Sequence, residues 1–243
     1  MRVRCLFLVV SLLAAWGCGP ADDAGLPAGE AREGEGNEPA KAAAAVEPVG
    51  SGPRVMFVGT SLTAGLGLLS PEDAFSAQLQ ELADSAGIAA RMVNAGVSGE
   101  TSAGGLRRIG WVLGDTVDVL VLELGANDGL RGLPTEALQD NLEAIIDSTR
   151  APWPDARVVL VGMEAPPNLG ARYTRAFHDV FPTVARSRGT ELVPFLLDGV
   201  GGVAELNQDD GIHPTAEGHR ILARNVWPVL ESVLRDLQGG EAR

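Results

Sequence analysis

From Arg54 to the C-terminus, short β-branched runs alternate with longer amphipathic ones, and this alternation constrains the fold more than any other feature of the sequence. The apolar runs fall at residues 55–58, 90–94, 117–124, 157–163 and, more weakly, 191–195. They are almost continuously apolar, which implies strands buried on both faces. The amphipathic stretches lie between and after them, at 73–85, 102–113, 135–149, 172–188 and 215–237. The last carries Ile221, Leu222, Val226, Val229, Leu230, Val233 and Leu237 at helical spacing, a stripe that must be buried. Strands joined by crossover helices predict an α/β fold with a parallel, doubly wound sheet and helices on both sides. In such sheets, functional groups collect at the carboxyl ends of the strands.

Composition removes several classes of function. The 243 residues carry 19 Lys plus Arg against 32 Asp plus Glu, a formal net charge of -13. Nucleic acid and anionic membrane surfaces require clustered cations, so neither is an expected partner. The only lysine, Lys41, lies in a low-complexity stretch, which excludes Schiff-base and P-loop lysine chemistry from the folded part. Cys5 and Cys18 are the only cysteines, so the body of the protein holds no disulfide, Cys-rich zinc site or thiol nucleophile.

The first residues read as an address. Arg2 and Arg4 precede an apolar run from Cys5 to Trp16, which is shorter than the roughly 20 residues needed to cross a bilayer. Residues 1–18 therefore form a secretory signal. Ala15 and Gly17 before Cys18 resemble the box of a bacterial lipoprotein signal, whose cysteine is lipidated; a cleaved signal with an incidental cysteine is the other reading. Residues 19–53 are rich in Gly, Ala, Pro and Glu and cannot bury enough surface to offset chain entropy, so they form a disordered tether. The folded domain is expected at 54–238.

Three strand ends carry Gly-rich polar turns: Gly59-Thr60-Ser61-Leu62 after the first, Asn94 to Ser102 after the second, and Gly125-Ala126-Asn127-Asp128 after the third. Near the C-terminus, Asp210 and His213 stand three apart, just before the last helix. In a turn leading into a helix, that spacing can put both side chains on one side. The carboxylate then holds one ring nitrogen and leaves the other free to take a proton from a serine.

With these blocks in order, residues 54–237 resemble the GDSL, or SGNH, hydrolase family, and more closely its bacterial periplasmic thioesterase, arylesterase and lysophospholipase group. The resemblance implies a three-layer α/β/α, flavodoxin-like fold with about five parallel strands, no cofactor, no metal, and a shallow mobile site for acyl esters. It implies Ser61 as nucleophile, His213 as base and Asp210 as its partner. It further assigns an oxyanion hole to the backbone N–H groups of Ser61 and Gly96 and the side-chain amide of Asn127. Thr60 departs from the pattern, standing where the family has the aspartate of its name. That substitution bears on hydrogen bonding around the nucleophile turn.

The expected function is an exported serine esterase cleaving carboxylic or thio-esters, periplasmic or tethered to a membrane through a lipid on Cys18, with a small acyl ester as substrate. A carbohydrate O-acetyl esterase and a non-catalytic lipoprotein binding module are the alternatives; nothing in the sequence fixes the oligomeric state. Leu66, Leu68, Leu69, Leu130 and Leu133 follow the site turns and suit either an apolar acyl pocket or ordinary loop anchoring. Asp128 reads as structural and Asp209 as solvated or capping. His178 and His219 read as surface or packing residues.

Overall fold

The structure, a computed structural model, describes residues 52–241. The leader, Cys18 and the tether through residue 51 lie outside these residues. Five strands, β1 (Arg54–Gly59), β2 (Arg91–Gly96), β3 (Val119–Glu123), β4 (Arg157–Val161) and β5 (Glu191–Val193), pair in the order β2-β1-β3-β4-β5, and every pair is parallel. The chain leaves β1 toward one edge and then returns to build the sheet toward the other. Such a reversal opens a crevice above the carboxyl ends of the two strands that flank it, here β1 and β3.

The described residues hold seven α-helices, α1 (Ser61–Ala64), α2 (Phe75–Ser85), α3 (Ser102–Val112), α4 (Ala126–Leu130), α5 (Thr135–Arg150), α6 (Ala171–Arg188) and α7 (Ala216–Glu241). Because crossovers between parallel strands are right-handed, reversing direction at β1 places α2 on one face and α3, α5 and α6 on the other. The packing follows: α2 lies against α7, while α5 lies between α3 and α6. Short α1 and α4, which hydrophobic periodicity cannot reveal, sit at the ends of β1 and β3.

Residues 119–122 of β3 are fully buried at the centre of the core. The stripe on α7 is buried as expected, with Leu222, Val226, Leu230 and Val233 in the core and Ile221, Val229 and Leu237 packed against it. His219 joins them at 1% exposure, and its Nδ1 accepts the N–H of Phe75 at 3.2 Å. Burial pushes this imidazole down to about 4, so it stays neutral and ties the start of α2 to α7. Burial on both faces does not extend to β2. It forms an edge of the sheet, with Arg91 and Asn94 exposed and Met92 and Val93 half-buried, because no strand lies beyond it.

Replacing a fully buried β3 side chain tests this core. Leu120→Ala is expected to lose about 2–5 kcal/mol through lost transfer energy and the cavity left behind, read as a lower urea midpoint with unchanged slope.

Candidate active site

The turn after β1 is built on a carboxylate supplied by a different strand. Thr60 caps α1, its Oγ1 accepting the N–H of Leu62 at 3.4 Å. Ser61 is the first helical residue, so its own N–H has no partner within the helix. Beneath the turn lies Glu123, the last residue of β3, completely buried. It accepts the Thr60 N–H at 2.8 Å, the Thr63 hydroxyl at 2.7 Å and the Thr60 hydroxyl at 3.0 and 3.1 Å. This explains how the turn accommodates Thr60. The hydroxyl donates to Glu123, whereas an aspartate at 60 would set a second carboxylate against a buried one, and two such groups cannot both ionise cheaply. Burial pushes the Glu123 carboxyl from 4.5 up to about 7, against the opposing pull of its hydrogen bonds.

A loop before α7 brings the imidazole to this turn. Asp210 Oδ1 accepts the N–H groups of Ile212 and His213, both at 3.0 Å, which closes the loop around the carboxylate. Its Oδ2 lies 2.6 Å from His213 Nδ1. The hydrogen bond to His213, followed by those two N–H groups, holds the Asp210 carboxyl down at about 2. An ionised carboxylate only accepts, so Nδ1 carries the proton and Nε2 keeps its lone pair. His213 Nε2 lies 2.9 Å from Ser61 Oγ. Gln208, which the sequence reading does not single out, fixes the register of the two loops: its Nε2 donates to Leu66 O at 2.8 Å and to Pro214 O at 2.9 Å.

Of the residues expected at the oxyanion hole, Gly96 lies apart from Ser61 and Asn127. Gly96 ends β2 and faces away from the site, lining a separate groove with Trp111 and Arg108. Its N–H donates to Asn94 Oδ1 at 2.9 Å, and a side chain at 96 would overlap the backbone of Thr63 and Ala64. Close packing against α1 therefore explains this glycine. Three residues on, Gly99 lines the same cavity as Ser61, Asn127 and His213. Its φ of +78° suits glycine, and its N–H finds no acceptor among the described residues. The Gly99 loop is held by Arg131, which donates to Gly99 O at 2.9 Å, and by Arg108, which grips Glu100 through Nε and Nη2. Asn127 donates one amide hydrogen to Glu100 O at 3.0 Å. The second amide hydrogen remains available to the cavity.

That cavity measures about 550 Å3 and runs from Ser61 across the end of β3 to the loops after β4 and β5, where Met163, Ala165, Phe195 and Leu197 line it. Leu66, Leu130 and Ile212 line it too, and each is about half exposed, at 45%, 49% and 48%. Leu69 is fully exposed and does not line the cavity. Asp128 is structural, as its position suggests: it is buried and accepts the Ser102 N–H at 2.8 Å and the Ser102 hydroxyl at 2.6 Å. Asp209 is exposed. His178 is exposed on α6, and its Nδ1 meets Glu164 at 2.6 Å. Among the described residues, no three His, Cys, Asp or Glu side chains converge as a metal site requires.

The profile of the GDSL-like Lipase/Acylhydrolase family matches residues 57–221. The chain belongs to this family. It is accordingly an enzyme that hydrolyses ester bonds. Esterase TesA of Pseudomonas aeruginosa is 45% identical over 181 residues, spanning 74% of this chain and 89% of that protein. Thioesterase 1/protease 1/lysophospholipase L1 of Escherichia coli is 34% identical over 170 residues, 70% of this chain and 79% of its own. A crystal structure of TesA superposes with a TM-score of 0.70 at 44% identity, covering 74% of this chain and 99% of that one. The family match thus runs from β1 into the start of α7.

The buried carboxyl generates a pH-dependent prediction. A carboxyl raised from 4.5 to about 7 contributes stability that is fully present below pH 4.5 and is lost as pH rises through about 7. Glu123→Gln removes this dependence. Its stability in urea unfolding is therefore expected to climb relative to the parent between pH 4.5 and just above pH 7; parallel curves across that window would contradict the assignment.

Proposed function

We propose that this GDSL-family enzyme is an exported serine esterase that cleaves carboxylic esters and thioesters with apolar acyl chains, using Ser61 as nucleophile, His213 as base and Asp210 as its partner. One observation carries the reading: Asp210, His213 and Ser61 form a continuous hydrogen-bonded chain, 2.6 and 2.9 Å between donors and acceptors, that ends at a largely apolar cavity. As the Ser61 Oγ bonds to the acyl carbon, its proton passes to His213 Nε2, and Asp210 stabilises the imidazolium that forms. The imidazolium then returns the proton to the departing alcohol or thiol. Water repeats the sequence to release the acid and restore the serine. The charge on the carbonyl oxygen is met by the N–H groups of Ser61 and Gly99 and by the free amide hydrogen of Asn127, with Gly99 in the role expected of Gly96.

The apolar wall and the half-exposed leucines at its rim support acyl chains longer than acetyl, which sets this reading apart from a carbohydrate O-acetyl esterase. Export and tethering rest on the sequence features of residues 1–53. Among the described residues, no helix is long and apolar enough to cross a membrane.

A panel of p-nitrophenyl esters of increasing chain length tests the proposal. Butyrate and longer esters are expected to exceed acetate in kcat/KM, and Ser61→Ala to abolish turnover. Asn127→Ala is expected to lower kcat by about 10²–10³ with a smaller change in KM. Preference for acetate would contradict the apolar-chain reading, and undiminished turnover by Ser61→Ala would remove the nucleophile.

A further inference from the structure

One carboxylate in the cavity wall has no part in the chemistry proposed above. Glu164 lies in the loop after β4, and apart from His213 it is the only residue with an ionisable side chain among the described residues that line the cavity. No arginine or lysine among the described residues lines it. The nearby guanidinium of Arg131 is directed to Gly99 O instead. Glu164 is flanked by Met163, Ala165, Pro166 and Pro167, all of which also line the wall, so its charge stands in an apolar setting.

Its orientation is fixed from outside the cavity. Oε1 meets His178 Nδ1 at 2.6 Å, and α6 carries that histidine. Oε2 has no hydrogen-bond partner among the described residues. The side chain of Glu164 is 40% exposed, so the free oxygen is reachable from solvent and from a bound ligand. His178 is raised above its ordinary value, chiefly through its hydrogen bond to Glu164, as a pinned and anionic partner requires. A carboxylate held by one oxygen and open at the other, at the edge of an apolar cavity, attracts a cation and repels an anion. A soft cation with an apolar surface, such as a quaternary ammonium, suits both the charge and the lining.

We infer that Glu164 is a specificity-determining residue: it makes the cavity select esters that carry a cationic group on one arm, and turn away esters borne on anionic or polyanionic carriers. The inference rests on the esterase reading and narrows its substrate class. The loop after β4 lies two strands from the nucleophile turn in the sheet order. The cation is therefore recognised at a distance from the scissile bond and the reacting atoms do not change.

The test compares isosteric ester pairs at low salt. One pair is choline butyrate and the analogue in which a tert-butyl group replaces the trimethylammonium; the other carries the same exchange at the far end of the acyl chain. The parent enzyme is expected to favour the cationic member of at least one pair by about fivefold in kcat/KM, the order of one partly screened charge pair. Glu164→Gln is expected to bring that ratio close to one. His178→Ala, which removes the pinning group and keeps the carboxylate, is expected to retain the preference. Each ratio is internal to one variant, so a change in the amount of folded enzyme cancels. A parent ratio near one in both pairs, a preference that survives Glu164→Gln, or one lost only with His178 overturns the inference. Failure to hydrolyse any of the four esters instead removes the esterase reading, and this inference with it.

Discussion

The hydrogen bonds that Glu123 accepts from Thr60 and Thr63 are the constraint on which the rest of the site depends. β1 and β3 are neighbours in register, with Gly59 opposite Glu123, so the last carboxylate of one strand lies under the turn that ends the other. A buried carboxylate must be satisfied by donors, and those at hand are the residues on either side of Ser61. The turn is thereby held with Ser61 at the head of α1, its N–H free and its hydroxyl toward His213. The strand order, the burial of Glu123 and the exposure of Ser61 to the cavity are one arrangement.

The remaining parts converge on that turn from separate stretches of chain. The loop before α7 closes on Asp210 and reaches the Ser61 turn through Gln208 as well as His213, so the imidazole is positioned by a carboxylate at one nitrogen and by a loop clamp around it. The Gly99 loop is tied by two arginines. These are polar contacts within loops, and in the proposed mechanism they are what preorganises the site for a charge developing in an apolar cavity. Glu164 adds a carboxylate to the otherwise apolar part of the wall after β4.

Much of this was legible in the sequence because the relevant signals are local. The five strands, the five long helices and the parallel character of the sheet follow from periodicity, and the pairing of Asp210 with His213 follows from a spacing of three residues in a turn. The two glycines at and just beyond the end of β2 show where local signals end. Gly96 and Gly99 are equally plausible donors as letters, and only the packing of β2 against α1 and the hydrogen bond from Asn94 decide which N–H is free. Glu123 was hidden for a related reason: it sits in an apolar run and acquires meaning only once β1 is known to lie beside β3. The exposure of β2 likewise depends on its place at the sheet edge, which periodicity does not encode.

The central claim is that Ser61 is made nucleophilic by His213, and covalent labelling tests it most directly. The folded enzyme, treated with a fluorophosphonate and digested, is expected to yield a single adduct on the peptide containing Ser61, with labelling slowed greatly in His213→Ala. An adduct on any other residue, or labelling of Ser61 at an unchanged rate without His213, would contradict the account.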